Sequence, residues 1–510
     1  MENKCLKTSV FANENIFEDF CEQPVDVDFT LPDYFPDISK ILKCKPVARI
    51  SSKGINGNNI TVEGNVTITL IYCDKDNKLN SFEYQYPFSK IIESDSDLAG
   101  GNLVCRCKCD YINCRAVTGR KVDIHGAVTV SVRVFKRKCN DIISDIDDSN
   151  IEILRGTAPA TVPMGYNEKY VIIEEEIPIS NSVPAIQNIL RYDAFPAVKE
   201  CKILNDKVMV KGDMAVVILY LGEGEPTPQT VKTTIPFSQV IDIKGITDMC
   251  ECEAKADLSN LEIKPRVWQN GENRSFAFNA KILITCESYC VNDITVIKDA
   301  FSRKYETQIQ KNKISFSKIV QNIKETGHIK KNMEISENIS SVLDLWCDIQ
   351  SVVTKFEKDN MLICGTVLAG IIVCNQNNEA SIFEKPIDFR FTYPVNISEN
   401  QMECNPEVEI ESCGFTILNP NCIEFRADLS VNACTYEKSN ISLITDIKID
   451  SEKLIEKRQR HAITVYFANQ NECVWDIART YNASVQDIMN INSLEDNCFK
   501  ENTMILVPLA

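Results

Sequence analysis

Strict alternation of apolar and polar residues along much of the chain predicts β-strands. In segment 61–71 the apolar side chains at every second position fall on one face, and threonines occupy part of the other. The same two-residue period appears in segments 128–134, 275–285 and 424–433. A Tyr-Pro-Phe sequence at 86–88 fits a strand end or edge, where the missing N–H of proline is tolerated. The pattern therefore predicts a mainly β protein.

One strand pattern, an apolar residue two positions before a glycine and then a long apolar run, occurs three times. The glycines are Gly64, Gly212 and Gly365, and their spacing of about 150 residues is the size of a domain, not of a solenoid repeat. A Pro-Phe pair follows the first two copies, and we place Phe389 at the position of the proline in the third. We expect three tandem β-sandwich-like repeats. Their expected boundaries are 1–145, 146–298 and 299–446.

Each repeat is also expected to begin with one short helix. In the first repeat Ile38, Ile41 and Leu42 have the spacing of one helix face. Similar segments begin at Val183 and Ile339. The expected unit is therefore a β-sandwich that begins with one short helix.

Composition restricts the partners of the chain. The net charge of −17 argues against nucleic acid and against anionic membranes as the main partner, because both would repel it. The longest apolar runs have about eight residues, and a bilayer span needs about 20, so we expect no membrane insertion. The first 20 residues lack the apolar stretch of a secretory signal. We expect the protein to remain in the cytosol, where thiols are kept reduced.

The 23 cysteines are interpreted in the same way, because an odd number argues against a disulfide framework. Cys105, Cys107 and Cys109 alternate along one strand and fall on one face. Metal sites more often use two cysteines separated by two to four residues in a turn. We expect reduced, partly buried thiols that pack as small apolar groups. A metal site or late oxidative cross-linking is the alternative.

The sequence contains no recognisable catalytic constellation. The histidines are His125, His328 and His461, and none has a nucleophile motif nearby. Phosphate-binding loops, zinc-protease motifs and dinucleotide fingerprints are absent from the sequence. We expect no enzymatic activity, no cofactor and no metal, and a domain repeated three times favours a scaffold.

The pattern changes from residue 447. A charged connector is expected at 447–460, with Lys457, Arg458 and Arg460 at its basic end, and a compact module follows at 461–510. The predicted elements of the module are a strand at 463–467, a helix at 474–481, a second helix capped by Ser484 with Asp487, and a strand at 504–507. This order predicts a small βααβ fold.

The module resembles a LysM domain. Val474-Trp475-Asp476-Ile477-Ala478, Asn492 and the final strand ending at Pro508 match the family pattern, with Asn471 and Asn502 where the family has loop glycines. The resemblance implies a shallow groove for N-acetylglucosamine polymers. The remnants of its sugar-binding loops here are Asn471, Glu472, Cys473 and Asn492. The thiol of Cys473 is a weak donor in place of a hydroxyl, so reuse of the module for binding a protein is expected.

Trp475 has two interpretations. It follows a buried position on its helix, so its ring can point partly outward, and exposed tryptophans are favoured anchors of protein interfaces. Alternatively it packs in the core against the connector.

The three repeats resemble the SPOCS (DUF3794) repeats of spore-coat proteins, and SPOCS repeats followed by a LysM domain resemble the SipL family of morphogenetic proteins. The resemblance implies a scaffold of coat assembly in the mother-cell cytoplasm, at the forespore surface. Its implied partners are the ATPase of the coat basement layer, bound through the LysM domain, and other coat proteins, with weak peptidoglycan binding possible. The implied contact residues are Ile463, Val465, Val474 and Trp475. The alternative is a peptidoglycan- or chitin-binding LysM protein of the cell wall or spore cortex.

Overall fold

The computed structural model of the chain is almost entirely β, as the pattern predicted, with two short helices near the C-terminus. It describes residues 5–225, 227–267, 271–377, 379–396, 401–404, 406–455 and 463–508. The long strands form three sets with closely similar topology. We call them unit 1 (5–146), unit 2 (151–302) and unit 3 (305–454), and the C-terminal module follows at 463–508.

Unit 1 is a sandwich of two three-stranded antiparallel sheets. Its strands are β1 (Cys5–Thr30), β2 (Lys40–Asn56), β3 (Asn59–Cys73), β4 (Leu79–Glu93), β5 (Asn102–Ala116) and β6 (Lys121–Ile146). One sheet has the order β1-β6-β5 and the other β2-β3-β4. Because side chains alternate across a strand, Val62 and Ile68 of one sheet meet Val128 and Val130 of the other in a fully buried core.

Units 2 and 3 repeat this arrangement. The strands of unit 2 are β7 (Ile151–Pro178), β8 (Ile186–Leu204), β9 (Lys207–Gly222), β10 (Pro228–Asp242), β11 (Glu251–Val267) and β12 (Asn273–Ser302). Those of unit 3 are β13 (Tyr305–Glu334), β14 (Ile339–Glu357), β15 (Asn360–Asn375), β16 (Ala380–Pro394), β17 (Gln401–Cys404), β18 (Glu407–Asn419) and β19 (Cys422–Leu454). In unit 3 the strand that corresponds to β5 is divided into β17 and β18, which both pair with β19.

The repeated glycine is explained by an aromatic ring on the neighbouring strand. Gly64 lies opposite Phe88, and a side chain at Gly64 would collide with that ring and with a backbone carbonyl. Gly212 has the same relation to Phe237. In unit 3 the partner of the glycine is Phe389. Phe389 therefore corresponds to the phenylalanine of the Pro-Phe pair, and our placement of it at the proline was wrong.

The short helices expected at the start of each repeat are also wrong, because these segments enter bulged strands. A β-bulge leaves Leu42 unpaired in β2, and bulges at the same position leave Leu190 in β8 and Leu343 in β14. Because consecutive strand positions face opposite sides, Ile41 packs against the core of unit 1 while Leu42 packs in a separate cluster. The resulting spacing imitates a helix face in the sequence.

The three bulged leucines meet where the units close on one another. Leu42, Leu190 and Leu343 pack with Trp346 in one apolar cluster to which all three units contribute. Ion pairs surround it: Lys45 of unit 1 contacts Asp193 of unit 2 at 2.8 Å, and Arg191 of unit 2 contacts Asp344 of unit 3 at 2.7 Å. Lys43 of unit 1 pairs with Glu384 of unit 3. Each unit thus touches both others, so the three form a closed body with approximate threefold symmetry.

The first and last strands of each unit extend beyond the sandwiches as three long β-ribbons, which we call the arms. Side chains from all three arms pack together, among them Val10, Ala158, Val296, Phe316 and Leu443. The arms therefore form a second shared core next to the closed body.

The strand ends differ from the boundaries expected at 298 and 446. Strand β12 continues to Ser302 and β19 to Leu454. Part of the connector expected at 447–460 therefore belongs to β19. Its residues 456–460, including Lys457, Arg458 and Arg460, lie outside the described part of the chain.

Candidate functional site

The C-terminal module has the element order expected from its sequence: β20 (Ile463–Ala468), α1 (Val474–Tyr481), α2 (Val485–Asn492) and β21 (Thr503–Pro508). Ser484 caps α2, with its hydroxyl accepting a hydrogen bond from the Asp487 backbone N–H at 3.2 Å. This confirms the predicted capping pair. The apolar stripe of α1, including Ile477 and Ala478, is buried against the two-stranded sheet β20-β21.

Val474 is completely buried in the core of the module. We had placed it among the residues that contact a partner. In this arrangement its side chain packs in the core of the module and has no exposed area for a direct contact with a partner.

Trp475 is buried, as the second interpretation expects, but it packs against unit 2 and not against the connector. Only 9% of the residue is exposed, and its ring meets Phe301 edge to face with centroids 5.0 Å apart. The indole N–H donates to the Asp299 carboxylate at 3.1 Å, and Arg479 contacts the same carboxylate at 2.5 Å. The helical side of the module is therefore docked on arm strand β12 of its own chain.

Asp299 is the centre of this docking contact. Besides the two groups of the module it binds Lys311 of unit 3 at 2.8 Å. Partial burial acts to raise the pKa of Asp299, but the hydrogen bonds from Lys311 and Trp475 and the charge of Arg479 leave it below its ordinary value. The charged carboxylate is thus the form that holds the module.

The same aspartate occurs in all three arms, in each case directly after a β-bulge. Asp145 follows the bulge of β6 and Asp446 that of β19. Asp145 contacts Arg155 of unit 2 at 2.5 Å, just as Asp299 contacts a lysine of unit 3. Approximate threefold symmetry therefore supplies three related carboxylates, of which one holds the module.

The arm of unit 2 differs from the other two arms in the residues around its aspartate. Phe301, two positions after Asp299, supplies the aromatic contact, and Leu154 packs against the same cluster. The corresponding residues after Asp145 and Asp446 are Asp147 and Lys448. The apolar partner for a tryptophan thus exists in one arm, which explains why the module lies on unit 2. The sequence reasoning missed Asp299, although the repeated Ile-x-Asp pattern at 143, 297 and 444 was available as a signal.

The outer face of the β20-β21 sheet is apolar and exposed. Val465 is 53% and Phe467 72% exposed, and Met504, which lies opposite Phe467, is 60% exposed. Ile463 is half exposed and lies on the same face. We call Ile463, Val465, Phe467, Met504, Leu506 and Pro508 the apolar sheet face. Two of its residues, Ile463 and Val465, were predicted to contact a partner, and the strand alternation also pointed to Phe467.

The expected sugar-loop remnants are occupied by contacts within the module. Asn471 adopts a left-handed backbone with φ of 67°, as a replacement of glycine requires. The Glu472 carboxylate accepts hydrogen bonds from the Tyr466 hydroxyl at 2.7 Å and from the Asn469 backbone N–H at 2.9 Å. These contacts lower the pKa of Glu472, with the Asn469 N–H as the largest cause.

Asn492 joins α2 to β21. Its side-chain amide donates to the Leu506 carbonyl at 2.7 Å, and its carbonyl accepts from the Leu506 N–H at 2.8 Å. The side chain therefore has a structural role in this arrangement.

Two pairs of cysteines are disulfide-bonded, so the expectation of reduced thiols is wrong for these four residues. Cys473 is joined to Cys498, which links the residue before α1 to the segment between α2 and β21. Cys250 is joined to Cys290 in unit 2. Because its sulfur is bonded, Cys473 offers no thiol hydrogen to a sugar.

The predicted cysteine face of one strand is confirmed. Cys105, Cys107 and Cys109 are half-buried on the core side of β5. Burial raises the pKa of Cys105 and of Cys107 to about 12 and that of Cys109 to about 11. They are therefore protonated at neutral pH and pack as small apolar groups.

A chamber of about 540 Å³ lies between the three units. Its lining is charged, and Arg106 of unit 1 and Lys255 of unit 2 both pair with Glu407 of unit 3. These charges join the units to one another. In the described ranges, no group of three or more His, Cys, Asp or Glu side chains is arranged to hold a metal ion. No helix in the described part of the chain is long and apolar enough to cross a membrane.

Comparison with protein families gives one result. Residues 37–117 and 185–265 each match the family model described as SipL, SPOCS domain. The matched segments lie in units 1 and 2, so the expected resemblance of these two units to SPOCS domains is confirmed. Comparisons with curated proteins and with solved structures give no match.

Proposed function

We propose that this protein is a non-enzymatic scaffold of the bacterial spore coat, working in the mother-cell cytoplasm at the forespore surface. The two matched SPOCS domains support a sporulation-related coat protein. Unit 3 is assigned as a third SPOCS domain because its sheets repeat the order of the other two and its Gly365–Phe389 pair repeats their central contact. In this proposal the closed body is a rigid platform that other coat proteins contact.

The C-terminal module is assigned as a LysM domain that binds the ATPase of the coat basement layer. The observation that carries this assignment is the apolar sheet face. Its large side chains are exposed while the helical side of the module is docked on unit 2. Exposed apolar patches of this kind mark interaction sites. The docking also holds the face in a fixed orientation relative to the platform.

The test is a binding measurement between the full-length chain and the purified basement-layer ATPase. Phe467→Glu places a charge in the centre of the apolar sheet face, and we expect it to weaken binding at least tenfold, because interface centres tolerate unpaired charge poorly. Gln486→Glu is the matched control, since it adds the same charge at an exposed position of α2. Unchanged affinity of Phe467→Glu, or binding by a chain that ends at residue 460, contradicts the assignment.

The second candidate function is binding of peptidoglycan or chitin through the module. The βααβ order and the left-handed turn at Asn471 favour it. The occupied Glu472 carboxylate and the bonded sulfur of Cys473 argue against it. Sedimentation of the full-length chain with purified peptidoglycan separates the two proposals, and sugar binding that survives Phe467→Glu while the ATPase is ignored favours the second.

A further inference from the structure

The chamber between the three units has walls of opposite charge. Unit 1 contributes four cationic side chains to its lining and no carboxylate: Arg49, Lys53, Arg106 and Arg133. Units 2 and 3 contribute five carboxylates and a single cation, Lys255. The lining is therefore neutral in sum, with five charges of each sign, but the two signs come mainly from different units.

Some of these charges are neutralised by contacts within the protein. Lys53 binds the Glu168 carboxylate at 2.7 Å. The Glu407 carboxylate pairs with Arg106 at 2.6 Å and also with Lys255. These contacts hold the three units together, but they do not involve every charged group of the two walls.

Five charged side chains of the lining form no ion pair and no side-chain hydrogen bond with another described residue. Two are guanidinium groups of the unit 1 wall, and three are carboxylates of the opposite wall. They are Arg49, Arg133, Glu253, Asp257 and Glu409. A charge that is partly withdrawn from bulk water is stabilised by an opposite charge or by hydrogen bonds. A molecule that carries both signs therefore suits both walls at once.

The pKa shifts of two of these groups agree with the lack of a close counterion. Burial lowers the pKa of the Arg49 guanidinium, and more distant acidic groups such as Asp193 counter only part of that effect. Burial also raises the pKa of the Glu409 carboxyl, and the charge of Asp257 adds to the rise. A ligand carboxylate beside Arg49 and a ligand ammonium group beside Glu409 act in the opposite direction, because each stabilises the charged form.

We propose that the chamber binds a short linear peptide with both termini free, a molecule that is neutral in sum like the lining. Its carboxylate binds Arg49 and Arg133, because a guanidinium donates parallel hydrogen bonds to a carboxylate. Its ammonium group binds among Glu253, Asp257 and Glu409. The chamber volume of about 540 Å³ is that of a sphere about 10 Å across, and an extended chain spans about 3.3–3.6 Å per residue, so about three residues reach from one wall to the other.

Trialanine is the probe, since its small apolar side chains suit the rest of the lining, which includes Ile50, Leu283 and Val352. We expect isothermal titration calorimetry to show saturable binding to the full-length chain. N-acetyl-trialanine lacks the ammonium group and trialanine amide lacks the carboxylate, so each should bind at least tenfold more weakly. Equal affinity for the three forms, or no binding of di-, tri- or tetraalanine, overturns the proposal. The experiment needs neither the ATPase nor peptidoglycan, so its outcome is independent of the proposed function.

Substitutions assign each end of the peptide to its wall. Arg133→Gln should weaken trialanine binding at least fivefold and leave trialanine amide unchanged, and Arg49→Gln repeats the test at the second guanidinium. Glu409→Gln should weaken trialanine binding and leave the N-acetylated form unchanged. The matched control Lys78→Gln removes an exposed charge just before β4 and should leave every affinity unchanged. Trialanine binding that all three lining variants preserve, with circular dichroism showing them folded, overturns the proposal.

Discussion

The contact between Asp299 and the C-terminal module can be broken by one substitution. Asp299→Ala removes the acceptor of the Trp475 indole N–H and the partner of Arg479. A hydrogen bond to a charged group contributes about 1.5–3 kcal/mol, and the pair with half-exposed Arg479 adds about 0–1 kcal/mol. We therefore expect docking to weaken by about 2–3 kcal/mol. Since 1.4 kcal/mol corresponds to a tenfold change, the ratio of docked to undocked module should fall by roughly 30- to 140-fold.

Hydrogen exchange measured by mass spectrometry gives the readout. Amides of α1 and of β12 near residue 301 should exchange faster in Asp299→Ala, while the sandwich strands keep their protection. The matched control is Asp145→Ala, which removes the related aspartate of unit 1. Its pair with Arg155 is about half exposed, so we expect a change of about 0–1 kcal/mol and no effect on α1. Equal effects of the two substitutions, or unchanged exchange in α1, would refute the reasoning.

Three further predictions follow from the same contacts. Gly64→Ala should lower the free energy of unfolding by about 1–3 kcal/mol in denaturant titration, because the added carbon meets the Phe88 ring, whereas Gly54→Ala, which has open space around it, should cost less. Ser484→Ala should destabilise α2 by about 1 kcal/mol through loss of its cap, seen as faster amide exchange confined to the module. Because the pKa of Asp299 is lowered in the folded chain, the contribution of docking is present above pH about 4, the ordinary carboxyl pKa, and is lost as pH falls further. Asp299→Asn should remove that pH dependence, and a module equally protected at pH 7 and at pH 3 would contradict it.

The sequence alone was sufficient for features that depend on near neighbours. The two-residue period fixed which side chains point into each sandwich, and the buried positions at Val62 and Val128 agree with it. The stripe of α1 and the cap at Ser484 were also determined locally, since a helix face and an N-cap involve residues within one or two turns. The repeated glycines indicated that one domain had been duplicated.

Only the tertiary structure decided how the units meet and what each exposed position contacts. Leu42 and its counterparts look like one face of a helix in the sequence, but they are bulged residues that pack between units. Trp475 has no local signal that separates an exposed anchor from a docked one, because Asp299 and Phe301 lie more than 170 residues away in the chain. Short-range patterns determine the faces of strands and helices, whereas burial against a distant segment depends on which surfaces the closed arrangement of units brings together.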